Sequence, residues 1–137
     1  MSELSEEREL DARVAEKVMG WAVEHDALGE SHSTGYGCPP TGEEPPDHPP
    51  VFSLGKRGNA YCIPPYSTDI AAAWQVVEKV LVHPCRTFGI IFDEATDTWI
   101  VKFDKTRCVF NDCRISAQEE TAPLAICRAA LAAVHAA

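Results

Sequence analysis

The sequence predicts an α+β fold, a three-layer α/β/α sandwich in which three helices pack on a small, mainly antiparallel sheet. Two observations lead to this class. Three segments, near residues 3–24, 67–83 and 116–137, carry apolar residues at the spacing of an amphipathic helix. Between the last two helices lie three short apolar runs within residues 86–116, joined by short links. Consecutive strands with short links are typical of an antiparallel meander.

Length and charge restrict the class of protein. A chain of 137 residues with a net charge of −9 has the size of one ordinary domain, predicted here as residues 1–137 with a Pro/Gly-rich loop insert at about 26–50. The acidity argues against direct nucleic-acid binding, which uses clustered Lys and Arg. The polar start "MSELSEEREL" is unlike a secretory signal, and no apolar run approaches the roughly eighteen residues of a membrane span. We therefore expect a cytoplasmic protein that does not bind membranes.

The first helix is predicted from Glu3 to about Glu24, with Gly20 weakening its last turn and Gly29 as a later stop. Its buried stripe is expected to consist of Leu10, Val14, Val18 and Trp21.

The segment from His25 to Pro50 contains three Pro-Pro pairs and several glycines, so no regular element is expected there. Tyr36 lies between two glycines, and two interpretations stay open: its ring is presented to a ligand or partner, or it is packed on the surface of a solvated loop. If a metal is bound at all, Cys38 with His32 or His48 is the best candidate set. The six cysteines form no C-x-x-C motif, and we predict no metal and no cofactor.

The stretch "YSTDIAAAWQVVEKV" begins the second helix, after two short apolar runs at residues 51–63 that suggest a hairpin or two edge segments. Ser67 is expected as the N-cap, with Asp69 in the first turn and Tyr66 packing on Ala71 as a hydrophobic staple. The alternative is a polar binding site at this helix N-terminus. The stripe expected to be buried consists of Ile70, Trp74, Val77 and Leu81.

The meander and the last helix complete the chain. The strand "TWIVKFD" alternates, with Trp99, Val101 and Phe103 predicted on one face, and "DEATD" is expected to be a solvated turn.

Thr121 is a suitable N-cap for the last helix, and Ser116 to Glu119 would form an earlier capping box. The predicted buried residues of this helix are Leu124, Cys127, Leu131 and Val134, with Arg128 beside them at a pocket rim.

Three segments together resemble the phage ABA-sandwich domain family of small tailed-phage and prophage proteins. They are "LDARVAEKVMGW", "YSTDIAAAWQVVEKV" and "TAPLAICRAALAAV", which occur in the family's order and span nearly the whole chain apart from the Pro-rich insert. The resemblance implies an α/β/α sandwich encoded by a phage or prophage. It implies no catalytic residues, because the family has no settled activity.

We therefore expect an accessory protein that acts by binding rather than catalysis. Its partner is expected to be a nucleotide-type small molecule or a host defence protein, as in counter-defence. Aromatic faces stack on bases and hydroxyls bind phosphates. The candidate ligand-binding residues are Tyr36, Tyr66, Ser67, Thr68, Trp74 and Arg128.

The sequence leaves two other functions open. One is an acidic DNA mimic that inhibits a host DNA-binding enzyme. The other is a small nucleotide-processing enzyme, for which His83 and Cys85 are the nearest approach to a catalytic pair, since no P-loop, G-x-S-x-G or H-E-x-x-H motif is present. We expect a homo-oligomer, most simply a dimer, and this expectation fits all of these functions.

Overall fold

The computed structural model describes residues 6–25, 33–40, 49–53, 59–82, 87–104 and 114–135. These residues form three helices and two antiparallel sheets, so the predicted α+β class is confirmed. No helix in these ranges is long and apolar enough to cross a membrane. The elements in chain order are α1 (Glu6–Lys17), β1 (Ala22–His25), β2 (Ser33–Cys38), β3 (Phe52–Ser53), β4 (Asn59–Cys62), α2 (Ile70–Val82), β5 (Thr87–Asp93), β6 (Thr98–Asp104), β7 (Arg114–Glu119) and α3 (Ala122–His135).

The first helix is shorter than predicted. It ends at Lys17, and the residues expected to continue it to Glu24 instead turn and enter β1. Gly20 adopts a φ of 80°, a left-handed conformation that glycine tolerates and that stops a helix. The N–H of Trp21 then donates to the carbonyl of Ala15 at 2.8 Å, which closes the helix end. The predicted buried stripe is confirmed: Leu10, Val14, Val18 and Trp21 are all buried.

The first sheet has the strand order β1-β2-β4-β3, with every neighbouring pair antiparallel. The predicted hairpin is confirmed as β3 and β4, which pair Phe52 with Ala60. The expectation of no regular element between His25 and Pro50 is wrong, because β2 lies there between its two neighbours. Close packing explains the glycine at position 37 of this strand. A Cβ there would lie 3.0 Å from the carbonyl oxygen of Ala22 and 3.2 Å from the Trp21 ring.

The second sheet is the predicted antiparallel meander, in the order β5-β6-β7, but its third strand continues to Glu119, beyond the predicted end at Ser116. Residues 105–113 of the run that predicted this strand lie outside the described ranges. Val101 and Phe103 are fully buried and Trp99 packs partly against the core, so these three share the covered face as expected. The turn between β5 and β6 places Asp97 at a φ of 56°, and Oδ1 of Asp93 accepts from the N–H of Ala95 at 3.0 Å. The acidic stretch is therefore used in forming this turn.

The buried face of α2 differs from the predicted stripe. Ile70 and Trp74 are 52% and 49% exposed, whereas Val77 is buried as expected and Leu81 is partly buried. Ser67 is not the N-cap of this helix, since Oδ1 of Asp69 accepts from the N–H of Ala71 at 3.3 Å. Small side chains let α2 pack closely on α3, so the face rich in alanine and valine is the buried one. The buried residues are Ala72, Ala73, Val76, Val77 and Val80.

The last helix packs against α1, α2, β6 and β7. The N-cap prediction is confirmed, because Oγ1 of Thr121 accepts from the N–H of Leu124 at 3.3 Å. The earlier capping box is wrong, since Ser116 to Glu119 belongs to β7. Of the predicted stripe only Cys127 is fully buried, and Leu124, Leu131 and Val134 are partly buried. The residues that fill the core from this helix are Ala125, Ile126, Cys127, Ala129, Ala130 and Ala133.

Candidate functional site

Two grooves lie beside α3, and they differ in chemistry. The first, here called the aromatic groove, has a volume of about 490 Å³ and lies where α2 and α3 begin, next to β5 and β6. Two of the three tryptophans of the chain, Trp74 and Trp99, line it, together with a single carboxylate from Glu120. The full lining is Ile70, Trp74, Ile90, Trp99, Glu120, Thr121, Ala122, Pro123 and Ile126.

Ring contacts hold the aromatic side chains of this region in place. Trp74 meets Phe88 edge-on at a centroid distance of 5.7 Å, and Phe88 in turn packs on the buried Phe103 at 5.3 Å. Phe92 contacts Trp99 at 5.1 Å. Edge-to-face and tilted pairs of this kind stabilise by about 0.5–1.5 kcal/mol beyond their buried area. The half-exposed Trp74 is therefore a positioned surface residue rather than a loose one.

The second groove, here called the cationic groove, lies between α1 and α3 and has a volume of about 640 Å³. Arg13 and Lys17 are four residues apart on α1, so their side chains share one face of that helix. Arg128 joins them from α3. The rest of the lining is apolar and consists of Leu10, Leu131, Ala132 and Val134.

The charges of the cationic groove are only partly compensated. Nε of Arg128 lies 2.9 Å from Oε1 of Glu119, and Nζ of Lys17 lies 3.4 Å from Oε1 of Glu16. Arg13 is exposed and forms no ion pair with another residue in the described ranges. Exposed pairs are weak and screened by salt, so an incoming anion can replace a carboxylate partner. The groove thus combines three cationic donors with an apolar lining.

Two of the predicted ligand-binding residues are inaccessible. Tyr66 and Ser67 are each only 1% exposed, which corrects the expectation that they face a ligand. Ser67 instead joins α1: its N–H donates to Oδ1 of Asp11 at 2.7 Å, and its hydroxyl donates to the carbonyl of Glu7 at 3.1 Å. Arg8 completes this cluster with bonds to Oδ2 of Asp11 at 2.9 Å and to the carbonyl of Ile63 at 3.0 Å. The cluster joins α1 to the turn before α2.

The other four predicted residues do not converge on one site. Trp74 lines the aromatic groove and Arg128 lines the cationic groove. Tyr36 is half-buried in β2, paired with Cys62 of β4, and Thr68 is exposed in the turn before α2. The structure therefore separates the aromatic and the cationic candidates into two surfaces.

The cysteines described by the structure are free thiols: Cys38, Cys62 and Cys127. Burial raises the pKa of the Cys127 thiol, Asp11 raises it further and Arg128 opposes the change, so this thiol stays protonated.

In the described ranges, no cluster of three or more His, Cys, Asp or Glu side chains is placed to hold a metal ion. His32, His48, His83 and Cys85 lie outside those ranges.

Three residues that line the grooves, Arg13, Lys17 and Trp99, were not among the predicted ligand-binding residues. Arg13 and Lys17 carried a usable signal, since two cations four residues apart mark one helix face. The sequence predicts the correct face of β6 for Trp99. That Trp99 lies near Trp74 depends on how α2 crosses the sheet. No local pattern contains that information.

Comparison with known proteins gives a consistent answer on the fold. Residues 12–131 match the model of the phage ABA sandwich domain. A 2.0 Å crystal structure of a phage protein from Bacillus cereus ATCC 14579 superposes with a TM-score of 0.63 at 21% sequence identity, covering 97% of this chain and 96% of that one. No curated protein matches the sequence.

Proposed function

The chain belongs to the phage ABA sandwich domain family, and on that premise we propose that it is an accessory protein of a phage or prophage that binds a small phosphorylated ligand in the cationic groove. The protein would act in the host cytoplasm. Its ligand would be a nucleotide-type molecule, and sequestering that molecule would serve counter-defence. Binding, not turnover, is the proposed activity.

The observation that carries this proposal is the convergence of three cations in an acidic protein. The chain has 12 Lys and Arg residues against 21 Asp and Glu, and three of the cations, Arg13, Lys17 and Arg128, line one groove. Guanidinium groups match phosphate oxygens bidentately, and an ammonium adds a point charge. A local positive surface on a molecule of net charge −9 is the place where an anion would be attracted.

The apolar lining of the groove supports a ligand with an apolar or planar part. Leu10, Leu131 and Val134 line the groove together with the cations. A volume of about 640 Å³ lies within the roughly 300–1,000 Å³ of small-molecule sites. The phosphates of such a ligand would contact the cations, and its base or ribose would contact the apolar residues.

The test is isothermal titration of the full chain with ADP-ribose and with a cyclic dinucleotide, using adenosine as the uncharged comparison. We expect binding of at least one phosphorylated probe, weakened at high salt, and little or none of adenosine. Arg13→Glu and Arg128→Glu should each weaken binding at least tenfold, because they replace an attractive charge with a repulsive one. Lys102→Glu makes the same change of charge on β6, away from the groove, and should leave the affinity within about twofold.

Two results would count against the proposal. If neither phosphorylated probe binds, the nucleotide ligand class is wrong. If a probe binds but Arg13→Glu and Arg128→Glu bind it as well as Lys102→Glu does, the ligand occupies a different surface.

A further inference from the structure

The outer edge of β5 is unpaired in the described part of the chain. β5 is the first strand of the β5-β6-β7 sheet, and all seven of its residues pair with β6 on the inner side. An edge strand directs backbone N–H and C=O groups outward and can therefore add a further strand.

Among the residues that the structure describes, this edge lacks the usual protection against strand pairing. Its register with β6 runs from Thr87 to Asp93 without a shift, so no bulge twists the strand away. No charged residue or proline occurs before Asp93, the last position of the strand. Ile90, Ile91 and Phe92 are 36%, 57% and 40% exposed. A long, regular, apolar edge of this kind is expected to be covered by another chain.

The apolar surface continues from the strand onto α2. Ile70 and Trp74 lie next to Ile90 in the aromatic groove, and both are about half exposed. In the described ranges, seven large apolar side chains are exposed, and only Val51 and Val82 lie outside this region. Ile90 and Phe92 face the same side of the sheet as these α2 residues, whereas Ile91 projects from the opposite side. Apolar surface therefore flanks the β5 edge on both faces of the sheet, which marks an interaction site.

We propose that β5 pairs antiparallel with β5 of a second copy, centred on Ile90, so that two three-stranded sheets join into one of six strands. Antiparallel pairing of a strand with itself generates a two-fold axis, so only the residue on the axis lies opposite its own counterpart in the other copy. With Ile90 on the axis, Gly89 lies opposite Ile91 and Phe88 lies opposite Phe92 of the second copy.

Self-complementarity favours a second copy over an unrelated chain. A Cβ on Gly89 would meet nothing within 4 Å, so there is open space beside this glycine. Ile91 projects from the same face as Gly89, and the proposed register places it over that space. Phe88 and Phe92 would pair on the opposite face. Since the strand is uncharged from Thr87 to Phe92, two molecules of net charge −9 meet where their repulsion is small.

Sedimentation of the full chain tests the assembly. We expect the wild type to have twice the mass of one chain and Ile91→Lys to shift the population to monomer, because a charge would be placed in the apolar pairing. Val82→Lys is the matched control: Val82 is 82% exposed at the end of α2, and its substitution should leave the dimer intact. Both positions are exposed, so both variants should fold, which circular dichroism verifies.

The register has its own test. Ile90→Cys places one thiol of each copy at the proposed two-fold axis, where Cβ atoms of directly opposed residues are about 4.5–5.5 Å apart. Mild oxidation should then give a covalent dimer, and peptide mapping should locate the link at position 90 in both copies. A monomeric wild type, a dimer that survives Ile91→Lys, or oxidation without a link at position 90 would overturn the proposal. None of these results depends on ligand binding by the cationic groove.

Discussion

The backbone N–H of Ser67 donates to Oδ1 of Asp11 at 2.7 Å, across 56 residues of sequence, and both residues are buried. This bond, with the Ser67 hydroxyl on the carbonyl of Glu7, holds the turn before α2 against α1. Asp11 is 0% exposed, yet its two oxygens are bonded to Ser67 and Arg8. A buried carboxylate with these partners is a positioning element of the fold.

Asp11→Ala should therefore destabilise the protein. The Ser67 N–H loses its buried acceptor, and the cost of an unsatisfied buried donor is about 1–3 kcal/mol. Asp11→Asn keeps a carbonyl oxygen of the same shape for Ser67 and should lose less. Urea unfolding measures the free energy of unfolding of both variants, provided that its dependence on urea concentration has the same slope in each. If Asp11→Ala and Asp11→Asn lose the same amount, the bond to Ser67 does not carry the stabilisation.

Two valines on α2 test which face of that helix is buried. Val76 is 0% exposed and Val82 is 82% exposed. Val76→Ala should lower the free energy of unfolding by about 2 kcal/mol, through lost burial and the cavity left behind. Val82→Ala should change it by less than about 0.5 kcal/mol. Equal effects of the two substitutions in urea unfolding would contradict the assigned face.

The helix caps make a second matched pair. Thr121 caps α3 through the N–H of Leu124, and Asp69 caps α2 through the N–H of Ala71. Thr121→Ala and Asp69→Ala should each cost about 1 kcal/mol, whereas Thr121→Ser should restore most of the loss because it keeps the hydroxyl. Thermal unfolding ranks the three variants. A Thr121→Ser variant as unstable as Thr121→Ala would show that the hydroxyl is not the stabilising group.

Thiol labelling should separate two of the free cysteines. Cys62 is exposed, whereas Cys127 is fully buried and its pKa is raised by that burial. Since the thiolate is the reactive form, iodoacetamide at about pH 8 should modify Cys62 rapidly and Cys127 only as the protein unfolds. Peptide mass spectrometry with increasing urea measures this difference. Rapid labelling of Cys127 without urea would contradict its burial.

The raised pKa of Cys127 also makes the stability of the protein depend on pH. The pKa of Cys127 in the folded state lies above its ordinary value of 9.0, so above that pH the unfolded chain loses a proton that the folded chain keeps. The contribution to stability is present below about pH 9 and decreases as the pH rises further. Under reducing conditions, the wild type should lose stability between about pH 9 and 11 more steeply than Cys127→Ala. Parallel curves for the two proteins would exclude the effect.

Much of the local structure follows from nearby residues. The meander was predictable because alternation in "TWIVKFD" and the turn "ATD" involve neighbours in sequence. The Thr121 cap and the hairpin of β3 and β4 were predictable for the same reason. The candidate site was less predictable: Trp74 and Arg128 lie in different grooves, and Tyr66 and Ser67 are buried.

The residues alone indicated the α+β class, three helices, the meander before the last helix and the Thr121 cap of α3, but not strands β1 and β2. Which side of α2 and α3 is buried depends on tertiary packing, because the two helices approach closely through their alanine-rich faces. Tertiary packing also determines that Ser67 joins α1 rather than capping a helix, and that Arg13, Lys17 and Arg128 share a groove. Periodicity reports what a segment can bury, whereas the choice among its apolar faces depends on the volume and charge of partners distant in sequence.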